Sequence, residues 1–207
     1  MLDILGRTSS INVRKVLWTC AELGVPFQQE WWGTGFRDTR DAQFLALNPN
    51  ALVPVLRDGA FVLWESNAIC RFLAAREKRD DLLPRDPQPR ALVEQWMDWQ
   101  ATELNSAWRY SFYALVRKNP AYAEPAAIGK SVESWNNCMR LLDAHFARGG
   151  QFITGEFFTL ADVVLGLSTH RWLASAIERP HLDAVHGYYQ RLSVRPAFRA
   201  HAHPDVP

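Results

Sequence analysis

Between Lys78 and Pro89 the chain carries Lys78-Arg79-Asp80-Asp81 followed by Pro84, Pro87 and Pro89. Proline lacks the backbone N–H that helices and sheets use, so this charged stretch resists regular structure and predicts a linker over residues 78–88. The apolar pattern changes across it. Residues 1–77 mix short apolar runs with helical segments, whereas residues 89–207 carry helical period and no strand-like alternation. A chain of 207 residues can bury two modest cores. The expectation is an α/β domain over 1–77 and an all-helical domain over 89–207.

In the first part, Leu2 to Gly6 reads as a short strand. Val13, Val16, Cys20 and Leu23 then recur at helical steps, with Gly24 and Pro26 as the stop. Phe27 to Trp32 is a second strand. Val53 to Leu56 and Phe61 to Leu63 flank Arg57-Asp58-Gly59-Ala60, where Asp-Gly signals a hairpin. Ser66 precedes a helix bearing Ile69, Phe72 and Leu73. The order is βαβ, a short helix, then ββα.

In the second part, Leu92-Trp96-Trp99 and Leu104-Trp108-Phe112-Leu115 form a stripe on one long helix, and Val132-Trp135-Met139-Leu142-Phe146 a stripe on the next. Leu182-Val185-Tyr189-Leu192 repeats the pattern. Thr159-Leu160-Ala161-Asp162 before an apolar run reads as a capping box with Asp162 as its acid, a structural role.

Charges nearly balance, with no dense Lys/Arg block, so nucleic acid and anionic membranes are poor candidate partners. The opening Met1-Leu2-Asp3-Ile4-Leu5 is too short and polar for a signal peptide or spanning helix, which makes the cytoplasm the expected compartment. Cys20, Cys70 and Cys138 show no paired spacing, and Cys20, on the first helix's apolar stripe, reads as a buried small hydrophobe. His201 and His203 read as a solvated end, so no metal is assigned.

The βαβ, ββα order with Val53-Pro54 opening a strand is the thioredoxin-like arrangement. Ser9-Ser10-Ile11-Asn12-Val13-Arg14-Lys15-Val16, Asn48-Pro49 through Val53-Pro54-Val55-Leu56, Trp64-Glu65-Ser66-Asn67-Ala68-Ile69 and Thr159 to Asp162 follow in order over nearly the whole chain. In these pieces the sequence resembles the glutathione transferase family, with theta-like and nu-class features. The resemblance implies glutathione as co-substrate, a small-molecule electrophile as second substrate, and a homodimer.

A free thiol titrates near about 8.5, and lowering that by about two units takes roughly 2.7 kcal/mol of thiolate stabilisation. A hydroxyl donor at the positive end of a helix can supply it. Ser9, Ser10 and Asn12 stand where the first strand turns into the first helix. The resemblance matches Ser10 to the catalytic Ser or Thr, and Asn12 to a sulfur-contacting Asn of the nu class. N-capping is the common use of Ser and Asn there, and it stands as the structural reading of the same residues.

Glutathione's γ-glutamyl end bears an ammonium and a carboxylate. Glu65 answers the first, and Ser66 at a helix N-terminus the second. The resemblance gives the backbone of Val53, ahead of a cis Pro54, the cysteinyl part. Asn50-Ala51-Leu52 lacks the basic residue many relatives use for the glycine carboxylate, leaving Arg37 and Arg40 as substitutes. Trp108, Tyr110, Phe112, Tyr113 and Trp172 are candidates for the electrophile pocket, although such aromatic stripes are more often core.

The leading expectation is transfer of glutathione as thiolate to a small hydrophobic electrophile. Glutathione-dependent disulfide or peroxide reduction is the alternative within enzymes, and a non-catalytic binding module the alternative outside them.

Overall fold

The computed structural model of the protein describes residues 1–202 and Pro207. Its first part is a four-stranded sheet of β1 (Leu2–Leu5), β2 (Phe27–Glu30), β3 (Val55–Asp58) and β4 (Phe61–Trp64), in the order β2-β1-β3-β4. β1 and β2 are parallel, joined by α1 (Ile11–Leu23), whereas β3 is antiparallel to both β1 and β4. A four-residue α2 (Ala42–Leu45) and α3 (Ser66–Arg76) complete a thioredoxin-like domain.

Period-two alternation divides the sheet's faces. Ile4 and Leu56 join the main core with α1 and α3, while Leu5 and Val55 meet Trp32 and Phe44 in a small second cluster. α1 ends at Gly24, whose φ of 67° and N–H bond to Ala21 O make a left-handed cap. The hairpin turn is Gly59-Ala60. β3 opens two residues later than the pattern suggests and runs through Asp58, because Arg57 and Asp58 still pair across with Val62 and Phe61.

A continuous helix then runs as α4 (Pro87–Trp99), which opens inside the stretch expected to be irregular because proline is tolerated in a helix's first turn, followed by a π segment (Gln100–Leu104), α5 (Asn105–Ser111) and a second π segment (Phe112–Val116). Then come α6 (Pro125–Phe146), α7 (Leu160–Ala174), α8 (Asp183–Ser193) and α9 (Pro196–His201). α7 is buried on all sides from Leu160 to Trp172.

The first stripe on the long helix needs correction. Leu92 is exposed and Trp96 and Trp99 only half-buried, while the buried seam is Val93, Met97, Gln100, Leu104 and Trp108. A buried glutamine breaks the apolar pattern, which made the true seam unreadable. Trp96 instead meets Trp99 and His145 edge-on at the rim. On α8 the buried aromatic is Tyr188, stacked 4.3 Å from Phe146, rather than Tyr189.

Asp162 accepts from the Thr159 N–H at 2.8 Å, the Ile153 N–H at 2.9 Å and the Tyr188 hydroxyl at 3.1 Å. It ties the start of α7 to the preceding loop and α8. The solvated end also needs correction. His201 is half-buried, and that burial with nearby Arg14 lowers its pKa to about 4; His203 lies outside the described residues.

Candidate functional site

Cross-strand register gathers three sequence motifs at one end of the sheet. Leu5 pairs with Val55 and Val55 with Trp64. The residues after β1, before β3 and after β4 therefore leave the sheet together: Gly6 to Ser10, Val53-Pro54, and Glu65-Ser66. α1 and α3 both begin there, with first-turn N–H groups that have no partner inside their helices.

Ser10 is the N-cap of α1 by its backbone alone. Its carbonyl accepts from Arg14 N–H at 3.0 Å and its N–H donates to Arg7 O at 3.1 Å, yet its hydroxyl makes no capping bond. That separates it from the ordinary capping serine, whose oxygen accepts from the second or third helical N–H. Ser9 and Asn12 are half-buried beside it. Among the described residues neither the Ser9 hydroxyl nor the Asn12 amide finds a hydrogen-bond partner.

The Val53-Pro54 peptide is cis. Asn48 holds the approach to it, donating from Nδ2 to Leu52 O at 2.7 Å while its Oδ1 accepts the Asn50 N–H at 3.0 Å. Among the described residues the Val53 backbone makes no hydrogen bond of its own. Glu65 stands at φ 74° and ψ 110°, a left-handed conformation rare for a residue with a side chain, and its exposed carboxylate makes no cap bond. Ser66 opens α3 and is buried.

Beneath the site lies a polar network that sequence reasoning missed. Lys15 Nζ donates to Gln100 Oε1 at 2.7 Å and Asn67 Oδ1 at 3.3 Å, and Gln100 Nε2 donates to Ser168 Oγ at 3.0 Å. Burial lowers the Lys15 pKa to about 8, opposed by Cys70 and Glu65. The only sequence signal was a lysine inside the apolar stripe of the first helix. Cys20 is buried, and the same burial pushes its thiol up to about 12.

Arg37 is engaged elsewhere, 3.4 Å from Glu30 and 3.9 Å above the Trp32 ring. Arg40 is exposed on the loop before α2.

The aromatic candidates divide. Phe112 is edge-on to Trp108 and Tyr113, and Tyr113 is partly exposed. Tyr110 turns to the α5–α6 connection, where its hydroxyl accepts from Glu124 N–H at 3.4 Å. Trp172 requires correction as a pocket residue: it is fully enclosed, and its Nε1 donates to Asn136 Oδ1 at 2.9 Å. Arginines that sequence reasoning did not single out border Phe112. Arg171 lies 4.0 Å and Arg117 5.3 Å from that ring's centre, and Arg117 also donates to Ser9 O at 3.2 Å.

Two surface cavities of about 600 and 630 Å3 lie away from these motifs. One is lined by Arg79, Leu92, Phe157 and Arg195, the other by Leu115, Asn136 and Arg179. Among the described residues no cluster of metal-ligating side chains occurs, and no helix is long and apolar enough to cross a membrane.

Residues 9–76 match the family model described as glutathione S-transferase, N-terminal domain. The chain is 39% identical over 204 residues to glutathione S-transferase GstB of Escherichia coli (strain K12), covering 96% of each. It is 32% identical over 151 residues to mouse glutathione S-transferase theta-3, covering 68% of this chain and 60% of that protein. Among solved structures, a glutathione-bound theta-class glutathione S-transferase from the citrus canker pathogen Xanthomonas axonopodis pv. citri superposes with a TM-score of 0.91. It is 38% identical, over 98% of this chain and 97% of that one.

Proposed function

The chain belongs to the glutathione S-transferase family, and from that premise we propose that Ser10, with Asn12, holds bound glutathione as its thiolate for attack on a small hydrophobic electrophile. The single observation behind this reading is the Ser10 hydroxyl, placed at the N-terminus of α1 and uncommitted to a cap. A hydroxyl donating to sulfur at the positive end of a helix stabilises the anion and leaves the neutral thiol largely indifferent. The Asn12 amide supplies a second donor.

In the same reading residues 1–77 bind glutathione and residues 89–207 help shape the acceptor site. Glu65 receives the γ-glutamyl ammonium, Ser66 and the first N–H groups of α3 receive its carboxylate, and the Val53 backbone pairs with the cysteinyl unit. The left-handed backbone at Glu65 supports this. Such a conformation costs about 1–3 kcal/mol and clusters at ligand sites. Ser9 lines the sulfur end. We assign the enzyme to the cytoplasm as a homodimer engaged in detoxification.

Glutathione-dependent disulfide or peroxide reduction is the second reading, favoured by the free Asn12 amide. Calorimetric titration with glutathione, followed by turnover assays on electrophiles, peroxides and mixed disulfides, tests both. Saturable binding with turnover of aryl or alkyl halides is expected. Binding without any turnover would make the chain a binding module.

A further inference from the structure

This inference rests on the glutathione reading above and concerns how the γ-glutamyl end is held. We propose that Lys15 is a positioning residue of that site: its buried ammonium, bonded to Asn67 behind the first turn of α3, supplies positive charge with which this helix N-terminus holds the γ-glutamyl carboxylate.

Lys15 stands in the run from Val13 to Cys20, every residue of which is buried, and is itself only 1% exposed. An apolar side chain there would lose no hydration, whereas an ammonium does, and the loss must be answered by partners. The partners inside the protein are neutral. Nζ donates to Gln100 Oε1 at 2.7 Å and to Asn67 Oδ1 at 3.3 Å, and among the described residues no carboxylate lies within ion-pair distance of it. Cys70, from α3, is a thiol whose pKa burial pushes up to about 11, so it brings no negative charge at neutral pH. Glu65, at the start of α3, attracts Lys15, and Arg171, from α7, repels it. Burial lowers the Lys15 pKa to about 8, which still leaves it mostly an ammonium at neutral pH.

Asn67 connects that charge to the ligand end of α3. It is the second residue of the helix, and its Nδ2 donates to Met97 O at 2.9 Å. Lys15 and α4 thus grip one side chain from two sides and fix the turn that bears Glu65 and Ser66. The first backbone bond of α3 runs from Ile69 N–H to Glu65 O at 2.9 Å, so the N–H groups of Ser66, Asn67 and Ala68 have no acceptor within the helix. Unpaired N–H groups at a helix N-terminus favour an anion. A positive charge one side chain behind them strengthens that preference, because charges inside a protein are screened far less than in water.

The same network also joins the two parts of the chain, since Gln100 Nε2 donates to Ser168 Oγ at 3.0 Å and to Asn105 Oδ1 at 2.9 Å. Bracing alone does not call for a lysine, because the amide oxygens of Gln100 and Asn67 accept equally from a neutral donor. The charge is the part that bracing leaves unexplained, and an anion at the start of α3 answers it.

The test is calorimetric titration with two thioethers: S-methylglutathione, and its analogue in which 4-aminobutyryl replaces the γ-glutamyl unit and so removes only the carboxylate. Neither carries a thiol, so sulfur activation does not enter. Lys15→Gln keeps a donor for Gln100 and Asn67 and removes the charge, and Lys15→Met takes its place if that variant does not fold. The neutral variant should bind S-methylglutathione about tenfold more weakly than the parent, the scale of one unit charge acting through protein, and the analogue within about twofold of the parent. In turnover, KM for glutathione should rise by about the same factor while the acceptor's KM holds. Asn67→Ala, which parts Lys15 from α3, should show the same selective loss. An equal loss with both ligands would overturn the inference, because Lys15 would then only brace the fold, and so would no loss with either. A parent enzyme that binds both ligands alike would overturn it too and leave the glutathione reading standing. Failure of the parent to bind S-methylglutathione at all would count against the glutathione reading instead.

Discussion

Gly6 and Val13 approach so closely that a Cβ on Gly6 would lie 2.5 Å from Val13 Cγ2, and 3.1 Å from Val53 Cβ. This contact links the end of β1, the first turn of α1 and the segment before β3, the places from which the proposed sulfur site is built. The absence of a side chain at Gly6 lets Val13 and Val53 pack this close to the end of β1.

Gly6→Ala is therefore expected to destabilise the fold by about 1–3 kcal/mol through overpacking, increased by the positive φ of 150°. It should also weaken glutathione binding, because relief of the clash pushes α1 and Val53 apart. Chemical denaturation and calorimetry on one sample check both. Loss of stability with affinity intact would mean that this contact serves packing alone.

Glu65→Ala should weaken glutathione binding by about 1.5–3 kcal/mol, the range for a hydrogen bond to a charged group. The carboxylate is exposed and makes no cap bond, so stability should change little. A folded variant with unchanged affinity would remove Glu65 from the site.

Asp162 offers a prediction with a sign in pH. Burial raises its pKa from 3.8 to about 6, against the lowering effect of bonds from Ile153, Thr159 and Tyr188. The folded chain thus keeps this proton to higher pH than the unfolded chain does. Its contribution to stability is full below about 3.8 and is lost as pH rises through about 6. Asp162→Asn cannot titrate and leaves a backbone donor without an acceptor, so it should be less stable throughout. The stability gap to the parent should widen as pH falls from 7 to 4. A constant gap in denaturant midpoints would show that Asp162 does not titrate there. Thr159→Ala should cost about 0.5–2 kcal/mol, with glutathione affinity held.

The βαβ-ββα order and the capping box were readable because each rests on local chemistry: a Gly stop after α1, Asp-Gly between β3 and β4, Thr159 three residues before Asp162. Ser10, Val53 and Glu65 were readable as separate motifs, and register alone brings them to one end of the sheet. What escaped is what local pattern cannot carry. Gln100 looks like a break in an apolar stripe until Lys15 and Ser168 surround it, and that hid the true seam of the long helix. Arg117 and Arg171, which flank the Phe112 ring, come from separate helices, and no local pattern groups them. Trp172 looked like a pocket wall because no pattern reports that α7 is enclosed on every side.

The last prediction concerns which residue activates the sulfur. Ser10 is positioned by its backbone bonds to Arg7 and Arg14 with its hydroxyl uncommitted, so it can donate to a bound thiolate without breaking anything. Asn12, two residues into α1, can donate from its amide to the same atom. If Ser10 dominates, Ser10→Ala should raise the bound thiol's pKa by about one to two units, since a charge-assisted bond is worth about 1.5–3 kcal/mol and one unit is about 1.4. Turnover at neutral pH should fall and partly recover at alkaline pH, where solvent removes the proton unaided. Glutathione affinity should move less, because Glu65 and Ser66 hold the far end of the ligand. If Asn12→Ala gives the larger rise, the two exchange roles and the reductase reading gains support. Thiolate absorbance of bound glutathione against pH, for the parent and both variants, separates these outcomes. A curve moved by neither would leave the first N–H groups of α1, or Ser9, to stabilise the sulfur. The positive end of the helix would then carry the activation without a hydroxyl.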